Sequence, residues 1–493
     1  MTDILTSRRV AEPHVIETSP WRLWIGLGVM LCGTFMTIMD VFIVNVAIPS
    51  IRQDLSASFA EVQFIIAGYA LTYAIARITG GRLGDVYGRR RMFMVGLAGF
   101  TVASSLCGIA PTSAWLVATR LLQGGTAAIL FPQVFALIRV IFVDARQRSI
   151  AFSTMGFVLG LACIVGQLIG GLLVEANLWG LAWRLVFLIN IPIGLVAFVA
   201  APFVIDESHS PSGRTMDLAG VLLSALGLGL LLFPLVEGRE LGWPAWSFTM
   251  LAASVPVLAI FAIHQHRKSL LGTSPLLETS LFRDRAFAVG ILIVLIFYST
   301  LNSIYLSLAL LIQIGLARSP VHSGLILASN ALAFMVSSIV AGRLPQAWGR
   351  SSLIAGAAIA AVASLIAAAT ARSVAPLHGE ELIPALVLWG VGQGLLMTPL
   401  LNTIVGGVHA HNAGSAAGML STMQQVGGAL GVAVVGILFF SRLDHAHLLG
   451  QSEPSAYADA FMAAVLYGAG GAAVTCALLH LLPKKTSSPS ARS

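Results

Sequence analysis

Residues 80–91 read GGRLGDVYGRRR, a short charged and glycine-rich segment that separates two long apolar runs. We call this segment the charged hairpin and interpret it as a compact turn. A weaker copy, AGRLPQAWGR, occupies residues 341–350, with the Gly-Arg-Leu and Gly-Arg elements at one constant offset. The repetition of a charged segment in both halves of an apolar chain predicts two pseudo-equivalent bundles of membrane helices, an arrangement common in transporters.

The composition excludes a soluble protein. Of 493 residues, 57% are hydrophobic and only 10% are charged, whereas soluble domains average about 25% charged residues. The net charge of +7 does not indicate nucleic-acid binding, because the basic residues lie in short clusters between apolar runs, as the positive-inside rule expects. The four cysteines lie within apolar runs without metal-site spacing, so we interpret them as small core residues.

Fourteen apolar runs are each close to the ~20 residues that an α-helix needs to cross a bilayer. Helices are expected because backbone polar groups in lipid must be satisfied within the segment. The predicted fold class is therefore an all-α polytopic membrane protein. The runs are residues 22–48, 60–81, 92–110, 114–138, 150–174, 184–205, 217–235, 246–264, 286–313, 321–342, 352–371, 382–405, 413–440 and 460–482.

The distribution of basic residues predicts the orientation. An even number of spans places both termini on the same side, and most of the 28 Lys and Arg residues fall in the tails and in the loops on that side. The positive-inside rule then predicts a multi-pass protein with both termini in the cytoplasm.

The two hairpin copies divide the spans into groups of six, two and six, so that spans 7 and 8 are an inserted pair. The predicted boundaries are a cytoplasmic N-terminal tail at 1–21, an N-terminal six-helix bundle at 22–205, linkers and inserted helices 7 and 8 at 206–285, a C-terminal six-helix bundle at 286–482 and a cytoplasmic C-terminal tail at 483–493.

Several motifs in order resemble a known family. The charged hairpin is similar to the signature loop of the major facilitator superfamily. MDVFIVNVAIP at 39–49, RLLQGG at 120–125 and WRLVFLINIPIG at 183–194 resemble motifs of its fourteen-span drug:proton antiporter subgroup. The resemblance implies the major facilitator fold and alternating access in a bacterial inner membrane. One departure is GQLIGG at 166–171, where Gln167 replaces the usual proline.

One carboxylate is the candidate for proton coupling. Asp40 is the acidic residue that lies well inside a predicted span, and such a group marks an ion or substrate path by default. Arg120 lies at a similar depth in span 4, so the two side chains could meet. A change in their separation or hydration would switch the proton affinity of Asp40. The alternative is a static ion pair that fixes helix packing.

Polar residues within the motif-bearing spans are candidates for a substrate cavity. The candidates are Asn45, Gln123, Gln393 and Gln425. For each of them, a hydrogen bond between helices that serves packing is an equal alternative.

The charged hairpin is the candidate cytoplasmic gate, with Gly81, Asp85, Gly88 and Arg89 as its residues. Glycines permit tight turns and close helix approach, and Asp85 can bind Arg89 or cap a helix N-terminus. The alternative is a topology signal with a tight turn. For Arg77, just before the hairpin, we expect a side chain that snorkels to the lipid headgroups; a gate or substrate contact is the other possibility.

Glycines spaced by four residues permit close packing of helices in lipid. Gly166, Gly170 and Gly171 lie in span 5, and Gly427 and Gly431 lie in the equivalent span 13. We expect these glycine faces, together with Gly156 and Gly160 of span 5, at the sliding interface between the two bundles. Ordinary static packing is an equal alternative for any single pair.

The sequence predicts a transporter and not an enzyme. It has no catalytic constellation, metal-site spacing or nucleotide-binding loop, so no cofactor, metal or nucleotide is expected. The predicted function is proton-coupled efflux of amphipathic organic compounds, such as drugs or secreted metabolites, by a monomer whose partners are the small-molecule substrate, protons and the lipid bilayer. The alternatives are a solute transporter without strict proton antiport and a non-transporting membrane sensor.

Overall fold

The computed structural model describes residues 20–209, 216–238, 241–273, 275–318, 320–344, 349–374, 377–406, 408 and 412–482. The predicted tails lie outside these residues, apart from positions 20 and 21. Within the described part, the chain forms helices, turns and loops and contains no β-strand.

Sixteen α-helices follow one another along the described residues. They are α1 (Pro20–Asp54), α2 (Phe59–Ile75), α3 (Arg77–Tyr87), α4 (Arg89–Gly108), α5 (Ser113–Ile141), α6 (Ala145–Ala176), α7 (Leu185–Leu188), α8 (Asn190–Val204), α9 (Leu218–Glu237), α10 (Ala245–Leu270), α11 (Arg285–Leu310), α12 (Pro320–Arg343), α13 (Gly349–Ser373), α14 (Ile383–Gly406), α15 (Ala413–Leu448) and α16 (Glu453–Leu479).

The predicted second span is a bent pair of helices. α2 begins at a capping box in which Ser58 and Glu61 satisfy each other's backbone donors. It ends at Ile75, and α3 continues at an angle of 47°. The described residues hold 13 helices long and apolar enough to cross a membrane, or 14 when the bent pair counts as one span. The predicted number of spans is therefore confirmed on that count.

The charged hairpin is mostly helical, so its interpretation as a turn over its whole length was wrong. Residues 80–87 belong to α3, and the chain reverses at Gly88, whose φ of 102° favours glycine. Gly80 and Gly84 serve helix packing instead, because a Cβ at either position would overlap the Ala128 carbonyl group or the Gln133 side chain.

The helices form two bundles that touch along two seams. In the first bundle α1 packs against α6 and α8, and α4 packs against α5; in the second, α11 packs against α15 and α16, and α12 packs against α14. The seams are α6 with α12 and α3 with α15. We call the end of the molecule at Gly88 the hairpin end and the opposite end the distal end. Arg22 binds Asp206 at the hairpin end, with an Nη2–Oδ1 distance of 3.0 Å.

The inserted pair, α9 and α10, is an antiparallel hairpin held at its base by Asp217. This residue precedes α9 and accepts hydrogen bonds from the backbone of Gly220 at 3.1 Å and from Gln265 Nε2 at 2.8 Å. His264 Nε2 and Lys268 Nζ of α10 each lie 3.1 Å from Asp217 Oδ1. One carboxylate therefore caps α9 and joins it to α10.

The same network continues to α15. Gln265 Oε1 accepts a hydrogen bond from Leu277 N at 3.0 Å, and Glu278 N donates to Ser415 Oγ at 3.1 Å. The inserted pair is thereby connected at the hairpin end to the first turn of a helix in the second bundle.

We predict that Asp217→Asn lowers the thermal stability of the purified protein at neutral pH. Burial alone would raise the pKa of Asp217, but the hydrogen bonds from His264, Gln265, Gly220 and Lys268 lower it to about 2. The unfolded-state pKa is about 3.9, so this contribution to stability is present above about pH 4 and is lost as the pH falls towards 2.

The measurement is the melting temperature of wild type and of Asp217→Asn between neutral and acidic pH. The difference between them should shrink below about pH 4. Asp444→Asn is the matched control, because Asp444 is exposed on α15. A difference that stays constant with pH would contradict the charge-based account.

Candidate functional site

The predicted coupling pair is present in the structure. Asp40 on α1 is fully buried, and its Oδ2 forms an ion pair with Nη1 of Arg120 on α5. Gln123 Nε2 donates to Asp40 Oδ1 at 2.9 Å. Arg120 also donates from Nη1 to Gln123 Oε1 at 2.8 Å and from Nε to the carbonyl oxygen of Ile65 at 3.0 Å. Both carboxylate oxygens therefore have partners from α5.

Aromatic rings enclose the Arg120 guanidinium group. Its Cζ lies 4.3 Å from the ring centre of Tyr69 and 5.8 Å from that of Phe187. Arg120 is 2% exposed, and Tyr69 is 1% exposed. An unpaired charge in such surroundings is costly, so each member of the pair compensates the charge of the other.

Gln123, predicted as a substrate-cavity residue, donates to Asp40 and belongs to the Asp40 cluster; its role in a cavity stays a prediction. It lies one turn from Arg120, so both side chains point from the same face of α5 towards α1. The sequence contained a signal for this arrangement, because residues three apart on a helix lie on the same face.

The other three cavity candidates lie in different parts of the structure. Gln425 lines a cavity of about 440 Å³ between α2, α9, α11 and α15. Asn45 is exposed on α1, and Gln393 is buried on α14; neither is among the described residues that line this cavity.

The predicted gate residue Asp85 joins the two bundles. It is fully buried on α3. Its carboxylate accepts hydrogen bonds from the backbone of Gly414 at 3.2 Å and of Ser415 at 3.1 Å, in the first turn of α15. The residue before α15, Asn412, makes no side-chain cap of its own. Asp85 therefore supplies the N-terminal cap of a helix in the opposite bundle, where negative charge is favourable.

Two further features support this contact, and a third lies at the turn beside it. Arg89 Nη2 donates to Asp85 Oδ1 at 2.6 Å and balances its charge. A Cβ at Gly81 would overlap the carbonyl oxygen of Gly414, so glycine permits the close approach of α3 and α15. At Gly88 the Glu207 carboxylate occupies the space of a Cβ, and it accepts hydrogen bonds from the backbone of Arg90 at 3.0 Å.

Arg77 does not snorkel, and that expectation was wrong. The side chain is 2% exposed and donates to the carbonyl oxygen of Ser421 on α15 at 2.7 Å. Its Cζ lies 3.8 Å from the ring centre of Tyr73. Snorkelling requires a lipid-facing position, whereas Arg77 faces the seam between the bundles. Its contact with Ser421 joins α3 of the first bundle to α15 of the second.

Two arginines at the hairpin end were missed as contacts between the bundles. Arg139 donates to the carbonyl oxygen of Val408 at 2.9 Å, and Arg148 donates to Asn402 Oδ1 at 3.1 Å. Arg139 lies in the last turn of α5 and Arg148 in the first turn of α6. They flank a basic loop, from which the sequence indicated only orientation. Together with Asp85 and Arg77, they join the bundles in the half of the molecule nearer the hairpin end.

The second copy of the charged hairpin falls partly outside the described residues, since 345–348 are not described. Arg343 ends α12. Arg350 lies 3.0 Å from His480 Nδ1, through its Nη2 atom. Within the described part, the copy contacts the end of α16.

Gly156 and Gly160 of α6 face α12 across the seam between the bundles, as expected for the sliding interface. The other glycine pairs pack helices within each bundle, so they fit the alternative of ordinary static packing. A Cβ at Gly166 would lie 2.9 Å from the carbonyl oxygen of Met39 on α1, and Gly170 faces Ile43. Gly427 and Gly431 face the carbonyl oxygens of Leu295 and Ser299 on α11. The spacing indicates close approach, but it does not specify the partner helix. Gly171 lies at ordinary contact distance from Val46.

The fold and its buried charges define a class: a multi-span membrane transporter built from two helical bundles. A family model described as the Major Facilitator Superfamily matches residues 30–432, and the chain belongs to that family.

The similar proteins include transporters and resistance proteins of Streptomyces. The probable actinorhodin transporter of Streptomyces coelicolor is 39% identical over 92% of this chain and 78% of that protein. The puromycin resistance protein pur8 of Streptomyces alboniger is 35% identical over 84% and 81%. The tetracenomycin C resistance and export protein of Streptomyces glaucescens is 32% identical over 91% and 82%.

Solved structures with the same fold have low sequence identity to this chain. The human organic anion transporter MFSD10 matches with a TM-score of 0.65 at 14% identity, covering 94% of this chain and 100% of that one. The proton:xylose symporter XylE gives a TM-score of 0.65 at 14% identity, covering 94% and 96%. These likenesses show the fold.

We predict that Asp85→Asn shifts the protein towards a conformation open at the hairpin end. The amide places a donor at one of the two oxygen positions that accept hydrogen bonds from Gly414 and Ser415, and it removes the negative charge. Since a hydrogen bond to a charged group contributes about 1.5–3 kcal/mol, the open population should rise about tenfold or more.

The measurement is the distance between spin labels at Val143→Cys and Ser351→Cys in a cysteine-free background. Both positions are exposed at the hairpin end, one in each bundle. Asp85→Asn should add a population at longer distance, whereas Asp144→Asn, an exposed acid at the same end, should not. An unchanged distance distribution for Asp85→Asn would show that the cap does not hold this end closed.

Proposed function

We propose that this protein exports amphipathic organic compounds from the cytoplasm in exchange for protons. The hairpin end is then cytoplasmic, in agreement with the basic residues predicted on that side. The chain resides in the cell membrane with both termini in the cytoplasm and works as a monomer. The relatives named as actinorhodin, puromycin and tetracenomycin C transporters or resistance proteins support export of compounds of this kind.

The observation that carries the proposal is the buried cluster of Asp40, Arg120 and Gln123. Asp40 is a carboxylate within the first span, and a basic partner compensates its charge. Protonation would remove the negative charge and leave Arg120 with Gln123 and the Ile65 carbonyl oxygen as acceptors. The pair therefore has two states that differ by one proton and by the strength of the α1–α5 contact.

The contacts at the hairpin end supply the second part of the cycle. With these contacts formed, the bundles are joined in the half of the molecule nearer the hairpin end. Separation of Asp85 from α15 and of Arg77 from Ser421 would release this end, as alternating access requires. Protonation at Asp40 and release at Asp85 are coupled through α5, which carries Arg120 and packs against α3 and α15.

A second candidate function is solute transport without strict proton exchange, and Gln167 favours it. The subgroup motif places proline at this position, but here α6 runs without a break from Ala145 to Ala176. Gln167 Oε1 lies 2.6 Å from the position that a Cβ on Gly324 of α12 would occupy. The amide thus lies at the seam between the bundles, where its role differs from that of a proline.

The two functions are separated by transport in proteoliposomes with Asp40→Asn, with actinorhodin, puromycin and tetracenomycin C as probes. Under the proposal, wild type accumulates a probe when a pH gradient is imposed. Asp40→Asn should abolish gradient-driven accumulation, because a carboxamide cannot take up and release the proton that drives it.

Exchange of labelled for unlabelled probe without a gradient is the control for folding, and Asp40→Asn should retain it. Asp444→Asn, which changes an exposed acid, should behave as wild type in both assays. Gradient-driven accumulation by Asp40→Asn at the wild-type level would overturn proton coupling through this residue. Wild type that exchanges a probe but does not accumulate it under a pH gradient would favour the second function.

A further inference from the structure

The segment that follows the inserted helix pair is held against the bundles at the hairpin end. We call residues 275–281, between α10 and α11, the linker segment. Its residues Leu276 and Leu277 are buried, and they belong to the same apolar core as Ala413 and Ala416 at the start of α15. Connections between helices usually run over the surface. The burial of this one indicates a docked segment and not a free loop.

A chain of hydrogen bonds runs from the inserted pair to the gate contact. Gln265 of α10 is fully buried, and its Oε1 accepts a hydrogen bond from the backbone of Leu277 at 3.0 Å. The next backbone N–H group, that of Glu278, donates to Oγ of Ser415 on α15 at 3.1 Å. The backbone N–H group of Ser415 donates in turn to Asp85 at 3.1 Å. Ser415 therefore belongs both to the gate contact and to the chain that begins at the inserted pair.

The inserted pair also interacts with the other side of the gate contact. Arg82 of α3 is 5% exposed, and its Nη1 lies 3.9 Å from Asp85 Oδ2. The charge of Arg82 is further stabilised by Glu278 of the linker segment and by Asp217 at the base of α9. A buried arginine needs opposite charges around it. The inserted pair and its linker segment are therefore bound to α3 as well as to α15.

These two helices are the ones that Asp85 joins across the seam. They must separate when the hairpin end opens, and a segment that is bound to both must then release at least one of them. The free energy of its contacts adds to that of the Asp85 cap. The inserted pair thus stabilises the closed hairpin end, although Asp85 itself lies on α3.

We propose that the inserted helix pair is a clamp that holds the hairpin end closed, and that Ser415 is the positioning residue through which it acts on the gate contact. This inference rests on the proposed function in one respect, since it requires this end to open during transport. It does not depend on proton coupling. The clamp gives the inserted pair a role: it sets the fraction of molecules that are open at the hairpin end.

Ser415→Ala tests the clamp and leaves the cap in place. The substitution removes the acceptor of the Glu278 N–H group, whereas the backbone N–H group that binds Asp85 remains. Spin labels at Val143→Cys and Ser351→Cys, in a cysteine-free background, report opening of the purified full-length protein in lipid nanodiscs. Ser415→Ala should raise the population at longer distance about two- to tenfold, as expected for the loss of one neutral hydrogen bond.

Gln265→Leu breaks the chain at its other end. Leucine binds neither Asp217 nor the backbone of Leu277, and position 265 lies on α10, away from the residues of the Asp85 cap. This variant should shift the distance distribution in the same direction as Ser415→Ala. Because both changes act through the linker segment, the double variant should shift the opening equilibrium by less than the sum of the two single shifts.

Ser337→Ala is the matched control. Ser337 is a buried serine on α12, and its hydroxyl group donates to the carbonyl oxygens of Phe334 and Gly390 within the second bundle. Its replacement should leave the distance distribution unchanged. An unchanged distribution in Ser415→Ala, an equal change in Ser337→Ala, or fully additive effects of Ser415→Ala and Gln265→Leu would each overturn the clamp and leave the linker segment as a static anchor.

The outcome is distinguishable from failure of the proposed function. The distance measurement uses no pH gradient and no transported probe, so it is independent of the transport test of Asp40. If Asp40→Asn transports as wild type while Ser415→Ala opens the hairpin end, proton coupling fails and the clamp stands. If Asp40→Asn loses gradient-driven accumulation while Ser415→Ala leaves the distances unchanged, proton coupling stands and the clamp fails.

Discussion

A charge buried within a membrane-spanning helix needs a partner, and the first bundle is organised around this requirement. Asp40 on α1 obtains its partners from α5, where Arg120 and Gln123 lie one turn apart. Removal of one partner from a buried pair costs about 3–5 kcal/mol, so the pair fixes the relative position of α1 and α5. The glycines of α6 then permit close packing on the other face of α1.

The same requirement explains how the two bundles are held together. Asp85 is buried against α15 and is stabilised there by Arg89 and by two backbone N–H groups. These N–H groups would otherwise lack a capping side chain. Each side of the contact thus satisfies the other, and separation leaves both a carboxylate and a helix end without partners. Such a contact is stable when formed and costly when partly formed, which suits an element with two discrete states.

The sequence predicted the depth of a residue within the membrane better than the direction in which its side chain points. Helix rise placed Asp40 and Arg120 at similar depth, and the structure brings them together. The face of each helix was harder to predict, because a polar residue on a membrane helix can point towards a neighbour or a cavity with the same local sequence. Arg77 was misplaced for this reason. The spacing of Gly427 and Gly431 indicated a close contact, but the partner, α11, is defined by tertiary packing alone.

The burial of Glu237 could not be predicted from the sequence, because the residue lies at the end of an apolar run, where acidic residues usually face water. Only the packing of α9 over the seam buries it. The charged hairpin is the opposite case, in which the residues were recognised but their structural role was not. Its residues were recognised from sequence, yet its glycines pack α3 against its neighbours, and Gly88 alone makes the turn.

The central claim is that Asp40 binds and releases a proton during transport. Infrared difference spectroscopy of the purified protein, recorded as the pH is lowered, detects the C=O stretching band of a protonated carboxylic acid directly. The account predicts a band that appears on acidification in wild type, shifts its midpoint when substrate is added and is absent in Asp40→Asn. A spectrum with no band dependent on Asp40, at any pH at which the protein stays folded, would contradict the account and leave the ion pair as a structural contact.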